Sequence, residues 1–339
     1  MKSFSESPRL GWDGDMGLGL DYGMKTTLLA DRVGFDSVWF SDHFFSWHHV
    51  PEAHIFFTWP VMAVAAERTK KIAIGVGVTS PIGGRYHPAI VAQACATLGG
   101  MYPGRILLGV GSGEAINEAH FMKWPKWRER MDRLVEGLDL IRKLWSSSDY
   151  FRFDGKYFKM ERAFLYEKPR APIPIYFAAS GEKSAYYAGK YGDHVLLLPK
   201  DFKSSTPEYC RDALLPKFKE GAREAEKDIA KLEKAVLLLG GIGDLDSMIA
   251  RIKRAEAGTW SSIDDPDPKR ILEKGLRMSD DTIRARYIVA SKPDELIEHF
   301  EEWINVGFNH IIFGDCGSQD PLSTLKAFKR TVIPYFKGL

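Results

Sequence analysis

Two polar segments of the 339-residue chain carry side chains suited to acid–base chemistry. The first contains Asp42 and His43, and the second contains Glu114. A carboxylate beside a histidine can fix the imidazole tautomer and raise its basicity, so that a neutral His43 takes up a proton near pH 7. Asp42 could equally cap the turn that follows it, with His43 as a hydrogen-bonded, partly buried residue. The residue types therefore allow general acid–base catalysis without requiring it.

The histidines and cysteines do not follow the common metal-binding patterns. His43, His48, His49 and His54 lie close together in the sequence, but no His-x-x-x-His pair with an adjoining glutamate is present. The three cysteines are widely spaced and odd in number, which argues against a disulfide framework. The sequence therefore predicts neither a metal site nor disulfide bonds.

Two glycine-containing segments could hold a ligand by their backbone. Gly111–Gly113 can let a ligand approach the main chain closely, although G-S-G-E-A-I lacks the third glycine of a dinucleotide-binding fingerprint. Ala178–Gly181 precedes a helical stretch, where exposed N–H groups can bind a phosphate. Taken alone, both segments also fit ordinary turns between a strand and a helix.

These segments follow short apolar runs that alternate with longer stretches of helical period. The predicted strands are Leu10–Trp12, Ser37–Phe40, Ile72–Val78, Ile106–Val110, Ile173–Ala178, His194–Leu198, Ala235–Leu239 and His310–Gly314. The predicted helices are Tyr22–Val33, Trp59–Glu67, Pro88–Leu98, Trp124–Trp145, Lys183–Lys190, Pro207–Glu226, Pro293–Val306 and Pro321–Tyr335. This alternation favours an α/β fold, a (β/α)₈ TIM barrel. Since loops after the strands meet at one rim, His43 and Glu114 could share a cavity.

Two insertions interrupt the single barrel domain expected over residues 1–339. Tyr150–Met160 alternates around Asp154-Gly155, which predicts a β-hairpin with a tight turn. Residues 240–291 are too long for one loop and too patterned for disorder. We expect this segment to be mostly helical and to cover the C-terminal mouth of the barrel.

The charge balance and the distribution of apolar residues exclude several classes of protein. The chain has 47 Lys and Arg residues against 45 Asp and Glu residues, so no large positive field attracts nucleic acid or an anionic membrane. Apolar runs are too short for a membrane span, and the first thirty residues do not resemble a signal peptide. The sequence therefore predicts a soluble, cytoplasmic protein.

Several longer motifs resemble the luciferase-like superfamily, and within it the branch of dehydrogenases that use the deazaflavin coenzyme F420. The motifs are Ser41–Phe44 with Trp47, Arg85–Ala89 with Gln93, Met101–Arg105, Gly111–Ala115 with Asn117 and Glu118, Ile288–Ser291, and Gly307–His310. The resemblance extends over nearly the whole chain. It implies hydride transfer between C5 of the coenzyme and an alcohol or carbonyl substrate, in a protein that is commonly a homodimer.

The resemblance also implies roles for individual residues. His43 would remove the hydroxyl proton, Trp47 would steady the charge that develops beside it, and Glu114 would be the acid near the coenzyme ring. Gly77-Val78 would be a non-proline cis peptide behind that ring. The other residues implied to bind the coenzyme are Asp42, Ser112, Gly113, Asn117, Ala178, Ala179, Ser180 and Gly181.

The residues expected to bind the substrate differ from those of the members of this branch that oxidise sugar phosphates. Lys200 and Arg286 match two of the three cations that hold the substrate phosphate there, whereas Trp260 stands at the third position. An incomplete set of cations compensates a phosphate less well, which favours an alcohol or a related hydroxylated substrate. The alternatives are an F420-dependent reductase of tetrahydromethanopterin-type carriers, an FMN-dependent monooxygenase, or a barrel that binds a cofactor without catalysis.

Overall fold

The structure, a computed structural model, describes residues 7–14, 17–46, 53–199, 201, 204–259 and 262–338. Over these residues, eight parallel strands close into a barrel. The barrel strands are β1 (Arg9–Asp13), β2 (Ser37–Phe40), β3 (Ala73–Thr79), β4 (Ile106–Val110), β7 (Ile175–Ala179), β8 (His194–Leu197), β9 (Lys234–Ile242) and β11 (His310–Asp315). Each strand pairs with the next in this order, and β11 pairs with β1 to close the ring. The predicted TIM barrel is confirmed.

Helices cover the outside of the barrel. They are α1 (Leu20–Val33), α2 (Thr58–Arg68), α3 (Pro88–Met101), α4 (Ala115–Glu118), α5 (Trp127–Ser146), α6 (Glu182–Tyr191), α7 (Pro207–Tyr209), α8 (Leu215–Glu224), α9 (Leu245–Ala255), α10 (Pro268–Leu276), α11 (Asp280–Arg286), α12 (Pro293–Asn305), α13 (Pro321–Ala327) and α14 (Ile333–Lys337). No helix of the described residues is long and apolar enough to cross a membrane.

The strands are apolar because both of their faces are covered. All five residues of β4 are buried, as expected for a parallel strand between a filled barrel interior and an outer layer of helices. The barrel interior is filled by a separate cluster that includes Trp39, Leu107, Tyr176 and Ile312. These side chains make the barrel a packed core rather than a pore.

A partly buried polar network closes the N-terminal end of the barrel around Glu233. Arg9 Nη1 donates to Glu233 Oε1 at 2.5 Å, and the Tyr176 hydroxyl and His310 Nδ1 donate to Glu233 Oε2 at 2.7 and 3.0 Å. His310 Nε2 lies 2.8 Å from the hydroxyl oxygen of Ser37. Burial opposes ionisation of Glu233, but the bond from His310 and the nearby charges lower its pKa. The network thus holds a carboxylate at the N-terminal end of the barrel.

The two insertions form elements beside the barrel. The first is a hairpin of β5 (Phe151–Asp154) and β6 (Lys159–Ala163), in which Asp154 pairs with Lys159. Its turn is longer than the tight turn predicted at Asp154-Gly155. The cause is the Glu136 side chain, which accepts hydrogen bonds from the backbone N–H groups of residues 156–158. In the second insertion, α9, α10 and α11 lead to a strand that the pattern did not predict, β10 (Ile288–Ala290), which pairs with the end of β9.

Two predicted continuous helices contain a π-helical turn just before a proline. The turns span Cys210–Leu214 and Phe328–Val332, and Pro216 and Pro334 follow two residues later. Proline has no N–H group to donate to the carbonyl four residues earlier, so the hydrogen-bonding pattern of the helix is disturbed there. The prediction of single helices over Pro207–Glu226 and Pro321–Tyr335 was therefore too simple.

Candidate active site

A large cavity opens at the C-terminal end of the barrel. Its walls come from segments that follow several strands, and it encloses about 1280 Å³ of empty space including its mouth. The predicted site residues that line it are Asp42, His43, Gly77, Val78, Ser112, Gly113, Glu114, Asn117, Ala178, Ala179 and Ser180.

His43 and Glu114 face each other in this cavity, although 70 residues separate them in the chain. His43 Nε2 lies 3.8 Å from Glu114 Oε2, and the two side chains are 9% and 19% exposed. β2 ends directly before the segment that carries His43, and β4 ends directly before the turn that carries Glu114. The expected convergence of the two loops thus occurs in the structure.

The surroundings of the two groups shift their proton affinities in opposite directions. Burial, aided by the charge of Arg85, lowers the pKa of His43 to about 3. Burial raises the pKa of Glu114 to about 8, with a hydrogen bond from Asn117 opposing the rise and the charge of Glu118 adding to it. At pH 7 the imidazole is therefore neutral with a lone pair on one ring nitrogen, and burial makes it a weaker base than an ordinary histidine, contrary to the raised basicity expected from Asp42. The carboxyl is protonated and able to donate a proton.

Asn117 ties the His43 loop to Glu114. Its Oδ1 accepts a hydrogen bond from the backbone N–H of Phe44 at 2.8 Å, and its Nδ2 donates to Glu114 Oε2 at 3.1 Å. Because the N–H of Phe44 can only donate, the oxygen of the Asn117 amide, and not its NH₂ group, must face the loop. Asn117 lines the cavity, as expected for a coenzyme-binding residue, and also holds the two reactive groups together.

Asp42 pairs with Arg85 rather than with its neighbour His43. Asp42 Oδ1 accepts hydrogen bonds from the Arg85 guanidinium and, at 3.2 Å, from the Tyr86 hydroxyl. The idea that Asp42 orients the imidazole is therefore wrong. The other oxygen, Oδ2, is buried with no hydrogen-bond partner among the described residues. Arg85 and Tyr86 belong to a motif noted in the sequence, but nothing in that motif indicated which carboxylate they would contact.

One wall of the cavity is formed by Gly77, Val78 and Gly111. The peptide bond between Gly77 and Val78 is cis, as the resemblance implied. A Cβ atom on Gly111 would lie 2.9 Å from Val78 Cγ2, so a side chain there would push into this wall. Nearby, the hydroxyl of Ser80 is buried in the cavity wall without a hydrogen-bond partner among the described residues.

The N-terminus of α6 is the expected phosphate site. The N–H groups of Ser180 and Gly181 both donate to the hydroxyl of Ser184 at 3.1 Å, and that hydroxyl donates to the Gly181 carbonyl at 2.9 Å. Ser184 lines the cavity, and the space around Gly181 is open. An anion at this terminus would have to replace the Ser184 hydroxyl on the two N–H groups.

Of the predicted substrate-binding residues, the structure describes Arg286, which does not line this cavity. Arg286 ends α11 and lines a second cavity, whose wall of Leu237 and Leu239 also borders the first. Its guanidinium lies 3.8 Å from the sulfur of Met278 and 5.7 Å from the ring centroid of Tyr287. The other predicted residues Trp47, Lys200 and Trp260 lie outside the described residues.

Comparisons with known proteins agree with this arrangement. A family model described as luciferase-like monooxygenase matches residues 3–310. The F420-dependent glucose-6-phosphate dehydrogenase of Amycolatopsis mediterranei is 36% identical over 316 residues, which covers 91% of this chain and 92% of that protein.

Solved structures are also similar to this chain over nearly its full length. An F420-dependent secondary alcohol dehydrogenase, in complex with an F420–acetone adduct, is 36% identical with a TM-score of 0.90, covering 96% of this chain and 98% of that one. The F420-dependent tetrahydromethanopterin reductase of Methanopyrus kandleri has a TM-score of 0.75 at 21% identity, over 98% of this chain and 100% of that one, and shows the fold alone. On the match of the family model and these near full-length similarities, the chain belongs to the luciferase-like monooxygenase family.

Proposed function

We propose that this protein is an F420-dependent oxidoreductase that acts on a CH–OH group or on the corresponding carbonyl. The observation that carries the proposal is the His43–Glu114 pair, with 3.8 Å between Nε2 and Oε2 in one cavity. A neutral base and a protonated acid at this spacing suit the interconversion of an alcohol and a carbonyl. Proteins 36% identical to the chain are named F420-dependent dehydrogenases.

The chain's residues can manage the protons of this reaction. His43 Nε2 accepts the proton of the substrate hydroxyl, because carbonyl character develops at the carbon only as that proton leaves. Glu114 holds a proton on its carboxyl group, ready for the group of the bound ligand that becomes negative during the reaction. When bound, the coenzyme supplies the carbon that accepts or donates the hydride.

The cavity has polar atoms and space that fit a deazaflavin. Asp42 Oδ2 and Ser80 Oγ are buried wall atoms without hydrogen-bond partners among the described residues, and a flat ligand with polar edges can satisfy them. Gly111, Ser112 and Gly113 would follow the ring edge with their backbone, against the wall at Val78. The N-terminus of α6, at Ser180 and Gly181, would hold the phosphate.

We infer a small hydroxyl or carbonyl compound as substrate. Arg286 lies beyond the wall of Leu237 and Leu239, and this supports an alcohol over a sugar phosphate. The homodimer and the cytoplasmic location stay predictions. Light scattering on the purified protein would measure the dimer, and fractionation of its source cells would measure the location.

Binding and turnover assays with alternative cofactors test the proposed function. Purified protein is titrated with F420 and with FMN by fluorescence, and the visible absorbance of oxidised F420 is followed with a panel of alcohols and sugar phosphates. We expect F420 binding and loss of absorbance with at least one alcohol. Tight retention of FMN with oxygen consumption would point to the monooxygenase alternative. F420 binding without turnover over the panel would point to the non-catalytic barrel, and turnover only with a pterin carrier to the reductase.

A further inference from the structure

A second buried carboxyl, Glu118, lines the same cavity as Glu114, and no role in the reaction has been assigned to it above. It is 2% exposed and lines the same cavity. Glu118 ends α4, four residues after Glu114, and its N–H donates to the Glu114 carbonyl at 3.0 Å. Glu114 is the N-cap of this four-residue helix and Glu118 is its last residue, and both side chains line the same cavity, so the two buried carboxyls share one part of its wall.

The surrounding backbone leaves room for this carboxyl and holds it. A Cβ atom on Gly84 would lie 2.2 Å from Glu118 Oε2, and one on Gly113 would lie 3.0 Å from Glu118 Cγ. The N–H of Arg85 donates to Glu118 Oε2 at 2.8 Å. The position of Glu118 is therefore set by contacts with the loop after β3 and with the turn before α4, and not only by its own short helix.

The charges around the two carboxyls do not balance. Arg85 is the cation nearest to Glu118 on the adjacent loop, but its guanidinium is already paired with Asp42. His43, which faces Glu114, is neutral at pH 7. Lysine and arginine do not occur among the described residues that line this cavity. Two neighbouring buried carboxyls without a cation of their own do not both ionise readily.

We propose that Glu118 is a positioning residue for the proposed reaction: as a second buried carboxyl one helical turn from Glu114, it keeps a proton on Glu114 over the neutral pH range. The two groups titrate as a pair, and the pair retains a proton when either carboxyl alone would lose it. Burial supports this, because it raises the pKa of Glu118 to about 7. The N–H bond and the charge of Arg85 oppose the rise, and the charge of Asp42 adds to it. The inference rests on the proposed function for its role, but the proton itself belongs to the protein without coenzyme.

The test replaces Glu118 by glutamine and measures how Glu114 titrates. Glutamine removes the charge and keeps a carbonyl oxygen that can accept the bond from the Arg85 N–H. In protein labelled with ¹³C at the glutamate carboxyls and free of coenzyme, NMR follows the titration of Glu114, which Glu114→Gln identifies. We expect Glu118→Gln to lower the titration midpoint of Glu114 by about one pH unit. The alkaline limit of turnover should fall by the same amount.

Two further variants separate charge from structure. Glu161→Gln removes a hairpin carboxylate that is 79% exposed, and it should leave the Glu114 midpoint unchanged. Glu118→Ala removes both the charge and the acceptor for Arg85. If Glu114 titrates with the same midpoint in Glu118→Gln as in the wild type, the inference is overturned. Loss of activity in Glu118→Ala alone would then assign Glu118 a purely structural role. The NMR midpoint needs neither coenzyme nor substrate, so failure of the proposed function would leave this result readable.

Discussion

Replacing Asn117 should weaken the reaction more than it weakens the fold. The Asn117 amide holds the Phe44 N–H at 2.8 Å and Glu114 Oε2 at 3.1 Å, so it joins the His43 loop to the acid. Each bond contributes about 1 kcal/mol net. In Asn117→Leu these two bonds are lost, together with a longer one from the Phe45 N–H at 3.4 Å. The two shorter bonds correspond to about 2 kcal/mol, or roughly a 30-fold smaller preference for the ordered loop. We expect kcat to fall by about that factor.

A matched variant separates the two bonds. Asn117→Asp keeps an acceptor for the Phe44 N–H but removes the donor to Glu114 and places a second acid against it. We expect Asn117→Asp to retain the loop and to raise the pKa of Glu114, so its alkaline limit of turnover moves to higher pH.

The assays are steady-state turnover as a function of pH, with F420 affinity and urea unfolding measured in parallel. Full kcat in a folded Asn117→Leu protein would refute the idea that this amide positions the two groups. An equal loss of coenzyme affinity and kcat would instead assign Asn117 to coenzyme binding alone.

Three other changes test separate parts of the structure. Glu233→Gln should cost about 2 kcal/mol in urea unfolding, because it removes the charge that Arg9 and His310 contact in a partly buried network far from the cavity, and kcat should stay within about a factor of three. Glu114 and Glu118 have raised pKa values of about 8 and about 7, so the native protein holds more protons than the unfolded chain and its stability should fall from pH 5 to pH 8. In urea unfolding at several pH values, the loss of stability between pH 5 and pH 8 should be about 3 kcal/mol smaller for Glu118→Gln than for the wild type. An equal loss of stability in the two proteins would contradict the assignment. Ser184→Asp should weaken coenzyme binding by about tenfold in a fluorescence titration, whereas Ser184→Ala should not weaken it, since only the aspartate places a negative charge at the N–H groups of α6.

The barrel could be predicted from the sequence because its signal is local. Each buried strand is a short apolar run, and β2 (Ser37–Phe40) and β4 (Ile106–Val110) were predicted with the bounds that the structure has. β10 was missed because three residues, Ile288–Ala290, are too few to show a period. The π-helical turns were missed because hydrophobic spacing does not report which carbonyl each N–H group bonds.

For the site too, local features could be predicted from the sequence and long-range contacts could not. The rule that loops meet after the strands was enough to predict His43 and Glu114 in one cavity. It could not show that Asp42 pairs with Arg85, because that contact depends on how two loops pack across 43 residues of chain. The position of Arg286 behind Leu237 likewise depends on the path of the second insertion.

Turnover of the His43→Ala and Glu114→Gln variants, measured beside their F420 affinity, tests the central claim most directly. General acid–base groups contribute about 10²–10⁴-fold to rate. We predict that each variant binds F420 within about threefold of the wild type and loses at least about 100-fold in the rate at which an alcohol bleaches the coenzyme. Wild-type turnover in either folded variant would contradict the assignment of this pair as the reacting base and acid.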